Sequence, residues 1–329
     1  MSDTKPILEI FDLKKHFPVY GGVFKKKVAN VYAVDGVTLS VNEGETIGLV
    51  GESGCGKSTL GRTILKLYEP TDGDIYFDGV PITDYSTAEM RPIRRDLQVI
   101  FQDPYESLNS RHTIGKIIEE PMLIHKIGDP QSRKQKAIEL LEKVGLQESS
   151  YYRYPHEFSG GQRQRIGIAR AISLEPRLII CDEPVSALDV SIQSQVMNLL
   201  IELQKEMNLA YVFIAHDLAV VRHISDKVAV MYLGKIVEYT DADSIYENPM
   251  HPYTKALISA IPEPDPTKKK ERIILKGDVP SPIDPPSGCS FHTRCPYATD
   301  KCKTESPELK NYGSQGKEQL VSCHLAGEV

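Results

Sequence analysis

The 329 residues carry 40% apolar and 26% charged side chains and a formal charge of −6, a composition with room for a large α/β domain plus an appendage, not that of a disordered chain, and with no general attraction for nucleic acid. No apolar stretch approaches the ~20 residues of a membrane span. The start, Met1-Ser2-Asp3-Thr4-Lys5-Pro6, lacks the charged and apolar regions of a signal peptide, which predicts a cytosolic protein that reaches any membrane through partner chains.

Residues 7–46 alternate short β-type runs, among them Val31-Tyr32-Ala33-Val34 and Val37-Thr38-Leu39-Ser40-Val41, with a turn at Asn42-Glu43-Gly44; the pattern predicts antiparallel strands. Lys25-Lys26-Lys27 reads as solvated loop. A short apolar strand over 46–50 runs into Gly51-Glu52-Ser53-Gly54-Cys55-Gly56-Lys57-Ser58, after which Leu60, Ile64, Leu65 and Leu67 recur at helical spacing. The turn Pro70-Thr71-Asp72-Gly73 precedes a strand at Ile75-Tyr76-Phe77. From about 103 to 164 the pattern is mostly helical, clearest at 114–118 and 136–144, which predicts a lobe inserted into a strand–helix alternation. Buried strands follow at 178–181, 211–215 and 228–232. Past Pro249 the character changes: 261–288 carries Pro262, Pro264, Pro266, Pro280, Pro282, Pro285 and Pro286 and should be extended, with a second solvated run at Lys268-Lys269-Lys270.

Strand, glycine-rich loop and helix are the context that a G-x-x-x-x-G-K-[ST] phosphate loop requires. Glycines let successive N–H groups point at the β- and γ-phosphates beside the positive end of the following helix. Lys57 supplies a point charge there, and Ser58 a hydroxyl for Mg²⁺. Thr59 extends the candidate set. Asp182 and Glu183 stand at the carboxyl end of a buried strand. A salt-bridged strand end would also carry an acidic pair, but ligands bind at that end of parallel strands. Asp182 is expected to hold Mg²⁺ and Glu183 to polarise the water that attacks the γ-phosphorus. His216, after the strand at 211–215, is expected to reach the same phosphate. Ser159-Gly160-Gly161-Gln162, upstream of the acidic pair, makes sense if one subunit caps the nucleotide held by another.

Together these residues resemble the ATP-binding subunits of ABC transporters. Gly51 to Ser58 look like that family's Walker A motif and Gln102, in Phe101-Gln102-Asp103-Pro104, like its Q-loop. Phe158-Ser159-Gly160-Gly161-Gln162 resembles the signature, with Phe for the commoner Leu. Asp182-Glu183 looks like the Walker B pair, Ser186-Ala187-Leu188-Asp189 like the D-loop and His216 like the H-loop. Gln102 is thereby implied in contacts with nucleotide and Mg²⁺, and Phe17 is implied, with Tyr20 and Tyr32 as competitors, as the aromatic that stacks on adenine. The fold implied is an α/β P-loop NTPase of the ABC ATPase type over 7–250, with an antiparallel β subdomain and a helical signature subdomain at 103–164. A small Cys-rich extension occupies 251–329. Two subunits would meet head to tail around ATP. His251-Pro252-Tyr253-Thr254-Lys255-Ala256-Leu257 and Gly277-Asp278-Val279-Pro280-Ser281-Pro282 resemble the oligopeptide and dipeptide importer subfamily, in its second ATPase subunit. That implies a sister ATPase in a heterodimer, two permease subunits, an external peptide-binding protein and a place on the cytoplasmic face of the cell membrane. Nickel importers share the architecture. An ATPase of DNA repair would need long coiled coils between phosphate loop and signature, and a translation-factor ATPase two cassettes; neither is present.

Of six cysteines, Cys55 lies in the phosphate loop and Cys181 ends an apolar run as a small hydrophobe. The other four form Cys289-x5-Cys295-x6-Cys302-x20-Cys323. Disulfides are disfavoured in a reducing cytosol, and Zn²⁺ stays an alternative although the spacings lack its usual close pairs. Four thiolates can also hold an iron–sulfur cluster, and the resemblance favours a [4Fe–4S] cluster that staples a segment too proline-rich for its own core. His292 and His324 are bystanders, and no tail residue is assigned to the nucleotide.

Overall fold

The computed structural model describes residues 5–22, 24–262, 272–313 and 317–329. Lys268 to Lys270, Pro264, Pro266 and the first four residues lie outside them.

In chain order the first elements are β1 (Pro6–Gly21), β2 (Lys26–Asn42), β3 (Thr46–Val50), α1 (Lys57–Ile64), β4 (Asp72–Phe77) and β5 (Val80–Pro81). There follow α2 (Thr87–Asp96), β6 (Leu97–Ile100), α3 (Pro104–Ser107), α4 (Ile114–Ile124), α5 (Pro130–Lys143), two short 3₁₀ turns, α6 (Gly160–Ile172), β7 (Leu178–Asp182), α7 (Val190–Met207) and β8 (Ala210–Ala215). The chain closes with α8 (Leu218–Ile224), β9 (Lys227–Tyr232), β10 (Lys235–Asp241), α9 (Ala242–Glu247), α10 (Pro252–Ser259), α11 (Asp300–Thr304), β11 (Lys310–Asn311) and β12 (Gln319–Val321). No helix among the described residues is long and apolar enough to cross a membrane.

The chain packs as two compact units. One is built on Asp84–Ile214 with Val41–Glu45. In it β6, β7 and β8 pair in parallel, with β7 central, so all five of its residues are buried and it reads as an unbroken apolar run. Helices α4, α5 and α6 pack on one another in the same unit, with Ile114, Ile117, Ile118, Leu141 and Ile166 buried.

The second unit comprises Leu8–Ser40, Thr46–Thr83 and Ala215–Val329. It holds the antiparallel sheet β2-β1-β4-β5. Here Lys26 and Lys27 open β2 and are exposed, so only Lys25 of that run stays in the turn. It also holds β3, which pairs in parallel with β9, and the antiparallel series β9-β10-β12-β11. Helix α1 ends before Leu67, which is 49% exposed rather than on the helix's buried face: Lys66 takes a left-handed φ of 52°, and the helix cannot continue through it. The stretch 272–299 contains no helix or strand, in keeping with its prolines.

Candidate nucleotide site

In the second unit, β3 is wholly buried and delivers the glycine-rich loop to α1. Gly56, the N-cap of α1, has φ 108°, and a Cβ there would run into the Ala33 carbonyl; glycine is required. No side chain caps α1, whose N-terminus carries the positive end of the helix dipole that favours an anion. Lys57 is buried, and its Nζ donates to the carbonyls of Gly51 (2.7 Å) and Glu52 (3.1 Å). Ser53 and Gly54 are exposed, Ser58 and Thr59 half-buried. Cys55 is buried, which pushes its thiol pKa up. His216 follows β8 and is exposed. Phe17 is half-buried, edge-on to Tyr68 at 5.3 Å between centroids, with the Lys15 ammonium 4.8 Å from its centroid. Tyr32 instead packs on His16 and donates its N–H to the Pro282 carbonyl, and Tyr20 is 62% exposed.

In the first unit, Asp182 ends β7 and is 3% exposed. The next residue, Glu183, turns the chain out of the sheet with a left-handed φ of 47°. Its N–H still donates to Ile214 of β8 (3.1 Å), and its carbonyl accepts from Ser186 Oγ (3.1 Å). A non-glycine residue held in that region stores strain of order 1–3 kcal/mol, which surrounding structure must maintain and which clusters at functional sites. Gln102 Nε2 donates to Glu183 Oε2 at 3.2 Å, so two residues 81 positions apart, singled out separately in the sequence, meet at one carboxylate. Asp103 fixes the turn after Gln102 by capping α3 through Tyr105 and Glu106 N–H.

The Ser159 turn opens α6. Ser159 Oγ accepts from Gln162 N–H (3.4 Å), and Gln162 Oε1 accepts from Ser159 N–H (3.0 Å), a reciprocal cap. Phe158 is buried, with the Arg153 guanidinium 4.4 Å from its ring centroid. Gly161 packs so closely on α7 that a Cβ would strike Ile192. Ser159, Gly160 and Gln162 are exposed at a helix N-terminus, the arrangement that accepts an anion from outside. Asp189 is the exposed N-cap residue of α7.

The structure gives His251-Pro252-Tyr253 a physical meaning. His251 caps α10, its Nδ1 accepting from Tyr253 N–H (3.1 Å), and Pro252 takes the first helical position, where no N–H is needed. Tyr253 is wholly buried, and its hydroxyl accepts from the Glu52 N–H (2.8 Å) in the phosphate loop. Arg294, from the cysteine segment, forks onto the Glu52 carboxylate at 2.6 and 3.1 Å. Sequence reasoning assigned no tail residue to the nucleotide and did not foresee that two extension residues grip the phosphate loop. Contacts over such sequence separations leave no local signal.

The four tail cysteines are at least partly buried. Burial raises the thiol of Cys289, and that of Cys323 to about 11, and the neighbouring tail thiols push both the same way. The Cys289 N–H donates to the Cys302 carbonyl at 2.8 Å, which brings those two residues together. Among the described residues, however, no group of three or more His, Cys, Asp or Glu side chains is placed to hold a metal ion.

Residues 34–186 match the family model described as ABC transporter, and residues 237–302 the model described as oligopeptide/dipeptide transporter, C-terminal region. The chain is 55% identical over 327 residues to the oligopeptide transport ATP-binding protein AppF of Bacillus subtilis (strain 168), covering 98% of each chain. It is 56% identical over 311 residues to the oligopeptide transport ATP-binding protein OppF of Escherichia coli (strain K12), covering 93% of each. The dipeptide transport ATP-binding protein DppF of the same organism is 49% identical over 319 residues, with 97% of this chain and 94% of the relative covered. Among solved structures, the post-hydrolysis dimer of the ATP-binding cassette MJ0796 bound to ADP and Pi aligns with a TM-score of 0.64 at 29% identity, covering 71% of this chain and 98% of that one.

Proposed function

This chain belongs to the ABC transporter family as an ATP-hydrolysing subunit, and from that premise we propose that it powers import of di- and oligopeptides through a membrane complex. The names of its relatives and the match of its C-terminal region support peptide as the solute. The observation that carries the hydrolytic reading is Glu183, lodged in a left-handed conformation after a buried strand with the Gln102 amide on its carboxylate.

In this reading residues 51–59 form the ATP-binding loop, in which the N–H groups of 53–59 and Lys57 hold the β- and γ-phosphates, with Phe17 against adenine. Lys57 exchanges its bonds to the loop carbonyls for phosphate oxygens. Ser58, Asp182 and Gln102 offer the hard oxygen donors that Mg²⁺ takes, and the ion, when bound, offsets charge on the β- and γ-oxygens. Glu183 orients and polarises the attacking water, and His216 contacts the γ-phosphate. Gln102 reports the state of that carboxylate to the helical lobe that follows it. Ser159, Gly160, Gly161 and Gln162 cap ATP held by a sister subunit, with Asp189 at the same junction, so hydrolysis waits on head-to-tail pairing. The sister is proposed to be a different ATPase of the same type. Two permease subunits would seat the pair on the cytoplasmic face of the membrane, and an external peptide-binding protein would deliver the cargo. We keep 7–250 as the cassette and 251–329 as the subfamily's extension. Cys289, Cys295, Cys302 and Cys323 are the donors that would hold the [4Fe–4S] cluster implied by the resemblance, and the cluster would act as a staple.

The test is ATP hydrolysis by the reconstituted complex with its external receptor. Peptide-loaded receptor should stimulate turnover, whereas receptor loaded with a nickel chelate should not. Stimulation by nickel alone would move the chain to the metal-importing branch, and an absence of any receptor dependence would remove it from import.

A further inference from the structure

We infer that Arg294 is a positioning residue for the nucleotide reaction: from the cysteine segment of the extension it fixes the phosphate loop through Glu52. The inference rests on reading residues 51–58 as the triphosphate loop.

Glu52 is the second residue of that loop, and each of its polar groups is engaged. Its carboxylate receives both terminal nitrogens of Arg294, a bidentate fork with directional as well as electrostatic strength. Its N–H donates to the Tyr253 hydroxyl, and its carbonyl accepts from Lys57 Nζ. The peptide planes on either side of Glu52 are therefore fixed, and one of them carries a bond to the lysine that meets the phosphates. Neither anchor is free to drift. Arg294 is 8% exposed as a side chain, and its N–H bonds the carbonyl of Phe291. Phe291 is 1% exposed and wedged among Tyr232, Tyr253 and His251, with centroids 5.2, 5.4 and 5.6 Å away. Phe291 and Arg294 lie between Cys289 and Cys295, so whatever organises those thiols also sets where the guanidinium stands.

A solvated surface pair would contribute little. This one is shielded on the arginine side, and losing one partner leaves a charge in a poorly hydrated place. Glu52 itself does not touch the phosphates in this reading. It acts through the shape of the loop, where small displacements of a binding group can cost up to ~10²-fold. A cavity of about 470 Å³, onto which Glu52 and Arg294 both open, leaves room for the pair to be reversed.

The test is titration of the purified full chain with a fluorescent ATP analogue and Mg²⁺. Wild type should bind. Arg294→Glu and Glu52→Arg should each weaken binding at least about tenfold, and the double reversal should recover most of it, the coupling that a double-mutant cycle isolates. Arg294→Lys, which keeps charge and bulk but loses the fork, should weaken binding about threefold even if the reversals unfold. Lys303→Ala, which removes a solvent-exposed ion pair with Asp300 in the same extension, should leave affinity unchanged. In the assembled complex the Arg294→Lys effect should fall on KM and leave kcat near wild type. Failure of wild type to bind would overturn the loop reading and this inference with it. Binding by wild type and Arg294→Lys with equal affinity, or singles whose losses simply add in the double, would overturn the positioning role alone.

Discussion

Acid should loosen the extension through one histidine. His251 is fully buried, and burial holds its imidazole pKa down to about 3, against 6.5 for an exposed ring. The geometry demands the neutral form, since Nδ1 is the acceptor that caps α10 and a protonated ring has no acceptor to offer. The unfolded chain takes up this proton below pH 6.5 and the folded chain does not, so the contribution to stability is complete above 6.5 and is lost as pH falls toward 3. Each pH unit in that window costs about 1.4 kcal/mol, which makes the loss by about pH 5 roughly 2 kcal/mol. The Glu238 carboxylate, which accepts the His251 backbone N–H at 2.9 Å, favours a nearby positive charge and makes that figure an upper one. His251→Asn keeps a capping oxygen without a proton to gain. Its packing defect is constant with pH, so urea unfolding of both proteins at pH 7.5 and 5.0 isolates the histidine. The variant should lose about 2 kcal/mol less than wild type over that interval. Parallel losses in the two proteins would refute the argument that burial keeps the ring neutral.

Glu183→Gln should bind ATP and pair with its sister subunit yet hydrolyse at least ~10²-fold more slowly in the assembled complex, as expected when water is held but not activated; near-normal turnover would remove the residue from that role. Ser159→Arg places bulk and charge at the exposed start of α6, and should abolish hydrolysis at the partner's site while sparing nucleotide binding to this chain's own loop. Labelled-ATP titrations that show equal loss at both sites would argue against head-to-tail capping. Anaerobically purified chain should be brown and hold roughly four irons and four sulfides, and Cys295→Ser should bleach it and open the extension to proteolysis. One zinc and no iron would rule out the cluster while leaving a metal staple.

The phosphate loop was legible because its information is local: glycine spacing, a flanking strand and a following helix are all contiguous. The strand before Asp182 was legible for a related reason, since a central parallel strand has no polar face to interrupt its pattern. β10 escaped notice because Glu238 and Thr240 are buried within it, and polar residues there break the apolar run. Their compensation comes from afar: Gln319 donates to Glu238 across 81 positions, and Thr240 Oγ1 donates to the Glu318 carbonyl. His251-Pro252-Tyr253 stood out only by resemblance, because half of its purpose is a hydroxyl bond to a residue 201 positions away. Arg294 gave no signal of its own, because the carboxylate it meets, that of Glu52, lies 242 positions away in the sequence.

The pairing of β12 with β10 has a consequence for the life of the protein before it meets its partners. β10 joins β9 along one side and would otherwise present a seven-residue row of open backbone groups, Ile236, Val237 and Tyr239 among them, along the other. β12 covers Glu238 to Thr240 of that row, and beyond it lies a two-residue, exposed strand of Lys310 and Asn311, too short and too polar to recruit a stranger. A nascent chain has no such guard until Gln319 to Val321 have been made. A chain cut after Cys302 never acquires one, and it should accumulate as sheet-linked aggregates even with every nucleotide motif in place.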